Sequence, residues 1–205
     1  MSEPPGFARP RKQSVVEAAV KDLILKMSMS LDGFVSDHEG RNAWMFGDDQ
    51  EAKAFVVETI ADASLHIMGS RSFQQMAAYW PAAPGPFAAP MNDIPKVVFS
   101  RSTPPSSHAE DGSWAHPFVV RGDLAREIAR LKAGDGRPLL AHGGVHLARA
   151  LVAAGLVDRL VLLVHPVALG DGHPLFSDLG TPLRLELLST RAFPGGAVAM
   201  IYRPR

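Results

Sequence analysis

Cysteine is absent from all 205 residues. That removes disulfides, thiolate nucleophiles and Cys-type zinc sites, and it is compatible with the cytoplasm. Neither sign of charge is in excess, because 21 basic residues balance 21 acidic ones. The balance leaves no electrostatic case for nucleic acid or an anionic membrane as partner. No apolar run approaches the ~20 residues needed to span a bilayer, and the opening MSEPPGFARPRKQ lacks the apolar core of a signal peptide. Also missing are the H-x-E and P-C-x-x-C elements of a zinc deaminase. A GxGxxG turn followed by an acid is missing too, which argues against an ordinary Rossmann site. A soluble, cytoplasmic protein is the expectation.

Hydrophobic residues make up 46% of the chain, enough for one sizeable core. Residues 1–21 carry prolines and no periodicity and read as a mobile N-terminal arm, leaving 22–205 as a single domain. The stretch that organises this domain is PLLAHGGVHLARALVAAGLVDRLVLLVHPVALGDGHPLF, from Pro138 to Phe176. Leu139-Leu140-Ala141 is a short strand closed by His142-Gly143-Gly144. Leu147, Leu151 and Ala154 then share one helical face, and Gly155 ends the helix. Leu160 to Val164 is apolar without alternation, as expected of a strand covered on both faces. A helix start offers unpaired N–H groups and the positive end of a dipole, and the glycines let an anion approach the backbone. Gly143, Gly144, Val145, His146 and Leu147 are therefore candidates for holding a phosphate.

Elsewhere, Leu23 to Met29 reads as the first strand, with Ser30-Leu31-Asp32-Gly33-Phe34 as its exit. Asp37 to Gly47 is a polar loop bearing Trp44, which either stacks on a flat heterocycle or plugs the core edge. Asp48 or Asp49 caps a helix reaching Ala63, with Phe55, Val56 and Ile60 inward. Leu65 to Met68 is a strand followed by Gly69-Ser70-Arg71-Ser72-Phe73, a second helix start with a glycine, a hydroxyl and an arginine. The proline-rich stretch from Trp80 to Pro95 reads as an irregular excursion. Lys96 to Phe99 is a strand ending in Ser100-Arg101-Ser102. Phe118 to Val120 is another, and Asp123 caps a helix to Leu131. Leu183 to Leu188 and Ala197 to Tyr202 form an antiparallel pair completing the sheet edge. Ser14 to Ala19 is a candidate helical turn. His142 and His146 lack an accompanying acid, so no metal site is expected.

The ordered landmarks SLDG, Gly69 to Phe73, the glycine pair, GLVD, HPV-LG-G and PLF resemble the dihydrofolate-reductase-like superfamily. Within it they are similar to the RibD C-terminal (riboflavin-pathway pyrimidine reductase) domain, over roughly residues 22 to 203. The resemblance implies an α/β fold with a mostly parallel central sheet flanked by helices and an antiparallel C-terminal strand pair. It implies NADPH as cofactor, hydride transfer to a small heterocyclic substrate, and a homodimer. By the same resemblance Gly69, Arg71 and Ser72 would meet the cofactor's phosphates, and Ser100 and Arg101 the adenosine 2′-phosphate. Asp32 would contact substrate or relay a proton, and Trp44 and Asp49 would line the substrate. The sequence departs from the pattern at His142, where a glutamate is usual, at Phe34, where a lysine is, and at Ser70, with the arginine one place later. These departures leave three readings: the riboflavin intermediate 5-amino-6-(5-phosphoribosylamino)uracil as substrate, another pterin-like or carbonyl substrate, or a non-catalytic NADP(H)-binding or sensor module.

Overall fold

The computed structural model describes residues 19–101 and 111–205. Most of the expected arm and its helical turn lie outside the described residues. At the point where the description begins, Val20 bridges Ala133 and the Lys21 amide donates to the Lys132 carbonyl at 2.8 Å.

In chain order the elements are β1 (Leu23–Ser30), α1 (Gln50–Ala61), β2 (Leu65–Gly69), α2 (Ser70–Tyr79), α3 (Ala88–Asp93), β3 (Lys96–Phe99), α4 (Gly112–Ala115), β4 (Phe118–Val120), α5 (Leu124–Lys132), β5 (Leu139–His142), α6 (Val145–Ala153), β6 (Arg159–His165), β7 (Leu185–Ala192) and β8 (Val198–Pro204). The strands form one sheet in the order β4-β3-β2-β5-β1-β6-β8-β7. The first six are parallel, and β8 runs antiparallel between β6 and β7. This is the expected α/β architecture with its antiparallel C-terminal end.

All eight residues of β1 are buried, because it lies mid-sheet with helices on both faces. Leu23, Leu25, Met27 and Met29 share a core with Ile128 of α5 and with Ala148, Leu151 and Val152 of α6. Ile24 belongs to the opposite core, with Ala52, Val56 and Ile60 of α1, Phe73 and Ala77 of α2, Met91 of α3 and Trp114 of α4. Strand alternation places Lys26, Ser28 and Ser30 on that second face with Ile24.

Two expectations change. The Trp80–Pro95 stretch is ordered: a single 3₁₀ turn at Trp80–Ala82 is followed by α3, with Met91 buried. Its prolines are tolerated because Pro81 and Pro90 occupy first turns, where backbone N–H groups have no intrahelical partner. The outer strand of the C-terminal pair also runs later than its apolar residues suggested, to Ala192, because most of β7 is exposed at the sheet edge and needs no apolar pattern.

Candidate active site

The carboxyl ends of the parallel strands gather the residues singled out in the sequence. β2 and β5 are neighbours, pairing Leu65 with Leu139, so the turns that follow them lie side by side. Gly143 and Gly144 have φ of 73° and 77°, a region L side chains rarely adopt. Both face the first turns of α2. A Cβ on Gly144 would fall 2.6 Å from Ser72 Oγ, and one on Gly143 2.8 Å from Met76 Cε. A Cβ on Gly69 would lie 3.9 Å from Leu147 Cβ. Helices α2 and α6 thus start against one another, on Gly69 and Gly144, and neither start has a side-chain cap. By contrast, α1 and α5 are capped by the carboxylates of Asp49 and Asp123.

Ser100 follows Phe99, the register partner of Gly69; it is buried and its amide donates to the Val120 carbonyl at 3.0 Å. Arg71 and Arg101 are exposed, and neither forms an ion pair among the described residues. Val145 and Leu147 are half-buried at the start of α6, whereas His146 is exposed with its ring edge-on to His173, centroids 6.5 Å apart. His142 is instead buried, its ring 4.7 Å from that of His66, so the two numerically close histidines have different neighbours. No group of three or more His, Cys, Asp or Glu able to hold a metal is found among the described residues.

Asp32, expected to contact substrate or relay a proton, is tied to neighbouring backbone. Its carboxylate accepts from the Ser30 hydroxyl at 2.6 Å and from the Leu169 and Gly170 amides at 3.0 and 2.7 Å, clamping the exit of β1 to the segment after β6. Those bonds, the serine's foremost, hold its pKa at about 2. A carboxyl with that pKa has no proton to give near neutrality. Asp49 likewise caps α1 through the Glu51 and Ala52 amides, both at 3.0 Å, and also accepts from the Gly195 amide. Three of the about four lone-pair positions of its carboxylate thus face backbone N–H groups. Trp44 sits in a single 3₁₀ turn, Ala43–Met45, half-buried and edge-on to His165 with ring centroids 5.5 Å apart. His165 is the register partner of Ser30, so the indole lies where β1 and β6 end.

Sequence reasoning passed over Lys26. Its side chain is buried on the α1-facing side of the sheet, its ammonium 3.3 Å from Ser28 Oγ, and burial pulls its pKa down to about 8. The signal was present: a lysine stands in a buried strand whose other polar residues are two serines. Its neighbours in register are His142 on β5 and Val161 on β6.

With this geometry in view, comparison with known proteins is informative. The fold is that of the dihydrofolate-reductase-like α/β proteins. A putative riboflavin biosynthesis protein from Shewanella sp. PV-4 superposes with a TM-score of 0.70 at 22% identity, covering 90% of this chain and 99% of that one. Dihydrofolate reductase from Enterococcus faecalis, solved with NADP(H), superposes with a TM-score of 0.62 at 15% identity, covering 91% and 99%. The RibD C-terminal domain family matches residues 21–199, and the chain belongs to that family, whose members are reductases. Uncharacterized protein YyaP of Bacillus subtilis (strain 168) is 28% identical over 180 residues, 88% of this chain and 93% of its own length. Riboflavin biosynthesis protein RibD of Mycobacterium tuberculosis is 27% identical over 155 residues, 76% of this chain, which spans 45% of that protein.

Proposed function

We propose that this chain is an NADPH-dependent reductase that delivers hydride to a C=N or C=O bond of a small, flat heterocycle. The observation that carries the reading is the abutment of two uncapped helix starts, with Gly144 so close to Ser72 that only a residue without a Cβ fits. Two adjacent sets of free N–H groups, each at the positive end of a helix dipole, suit a diphosphate. In this reading Gly69, Arg71 and Ser72 take one phosphate, and Gly143 through Leu147 the other. Ser100 and Arg101 lie one strand further out, suited to a 2′-phosphate, and an arginine fork matches that dianion.

NADPH supplies the hydride. The chain's own residues bind, orient and exclude water. Trp44 and His165 wall the end of β1 and β6 where the substrate ring would lie, and Asp32 fixes the loop around it. The substrate is either 5-amino-6-(5-phosphoribosylamino)uracil, as the resemblance to the RibD C-terminal domain implies, or another pterin-like or carbonyl compound. The working form in this reading is a cytoplasmic homodimer. Among the described residues no helix is long and apolar enough to cross a membrane.

The test is a reductase assay, following NADPH absorbance with the pyrimidine intermediate, dihydrofolate and simple carbonyl compounds. Turnover of one of them supports the reading. NADPH affinity without oxidation across the panel would favour the non-catalytic binding module. No NADPH affinity would remove both.

A further inference from the structure

The buried polar side chains of the described residues are two lysines, three histidines and five serines, with no carboxylate among them. On the α1-facing side of the sheet, Lys26 lies beside His142 in register, His66 beside Lys96, and Ser30 beside His165. Lys96 is satisfied: it donates to the Met91 and Ile94 carbonyls and to Ser113 Oγ, and it lies over the Trp114 ring at 4.5 Å. Among the described residues Lys26 has only the Ser28 hydroxyl. The Nε2 atoms of His142 and His165, both rings more than nine-tenths buried, have no hydrogen-bond partner, and neither does Trp44 Nε1. Buried charge is normally paired and buried nitrogen normally bonded, so this floor carries one cation without an acidic partner and several unbonded ring nitrogens.

The electrostatics count the charge. Nothing but burial acts appreciably on Lys26, and no acid eases its cost. Burial, and then neighbouring cations, hold His142 below its ordinary range, and His165 likewise, so both rings are neutral at pH 7 and offer one N–H each. A single positive charge with neutral donors around it matches one negative charge spread over two oxygens, and a dianion would be only half neutralised.

Resting on the reductase reading, we infer that the substrate of this site carries a carboxylate, received by Lys26 with the His142 ring beside it in register. The specificity would be for a heterocyclic or keto acid over its neutral counterpart.

Orotate and its methyl ester share a ring and differ in this charge, which makes them suitable probes. Calorimetric titration of the full chain should show orotate binding about tenfold or more tighter than the ester. Lys26→Met should bring the two within about twofold of one another. His142→Glu, which places a carboxylate in register beside Lys26, should do the same, with His142→Gln retaining the preference. Equal affinity of the wild type for the two probes would overturn the inference, a comparison that needs no variant to fold. So would a preference that survives Lys26→Met, or no binding of either probe at millimolar concentration. NADPH titration of the same protein reports separately on the glycine edges, so a failure there counts against the reductase reading and not against the charge preference.

Discussion

At the scale of single residues, the α1-facing side of the sheet trades stability for chemistry. Replacing Lys26 by methionine removes a buried charge with no acid partner, so the variant should be more stable than wild type by about 1–2 kcal/mol. The same variant should lose turnover, and a denaturant midpoint measured beside a rate checks both. Asp32→Asn should lower the melting temperature by loosening the clamp on Leu169 and Gly170, while the pH–rate profile keeps its shape. A lost limb of that profile would restore Asp32 as the relay. His66 supplies a pH prediction. Burial and the Lys96 charge push its pKa down from 6.5 to about 3, so the unfolded chain binds the proton the folded one refuses. Its contribution to stability is therefore fully present above pH 6.5 and is lost progressively as pH falls toward 3, with His142 and His165 acting in the same direction. His66 contributes about 1.4 kcal/mol per pH unit while it titrates. Denaturant midpoints between pH 7 and 5 should fall, and His142→Gln should make the fall shallower. Lys26, Asp32 and His142 also show where the sequence is opaque. Asp32 sits in a legible turn, but two of the donors to its carboxylate come from residues 169 and 170, far along the chain, and no local pattern announces them. Lys26 and His142 are adjacent only through strand register.

At the scale of elements, strands and helices with strong apolar patterns or aspartate caps, such as α1 behind Asp49 and α5 behind Asp123, were readable from residue order. Helix α3 was not, because Pro90 reads as a breaker until its place in the first turn is known. The glycine pair was read as room for a phosphate. The structure adds a second cause, the approach of α2, and the two separate by mutation. Gly144→Ala should cost about 1–2 kcal/mol from its φ of 77° alone, plus the contact with Ser72 Oγ. In the background of Ser72→Ala the contact portion should disappear and the backbone portion remain. Thermal melts of the two single variants and the double variant make this cycle. Full additivity would mean that α2 and α6 do not press on one another as described.

At the scale of the whole molecule, the sheet order brings four strand ends, separated by most of the chain, to one edge: β3, β2 and β5 at the glycine turns, and β1 beyond them. The sheet's general form was legible because its strands are short apolar runs between helical patterns. The pairing order was not legible, since periodicity says which residues are inside and nothing about which strand neighbours which. The central claim is that this edge grips one phosphorylated dinucleotide. Fluorescence titration with NADPH and NADH tests it most directly, on the wild type and on the Arg71→Ala, Arg101→Ala double variant. The account expects NADPH to bind more tightly than NADH, with the double variant losing most of that difference while NADH affinity changes little. Failure of the wild type to bind NADPH, or equal losses for the two coenzymes, would contradict it.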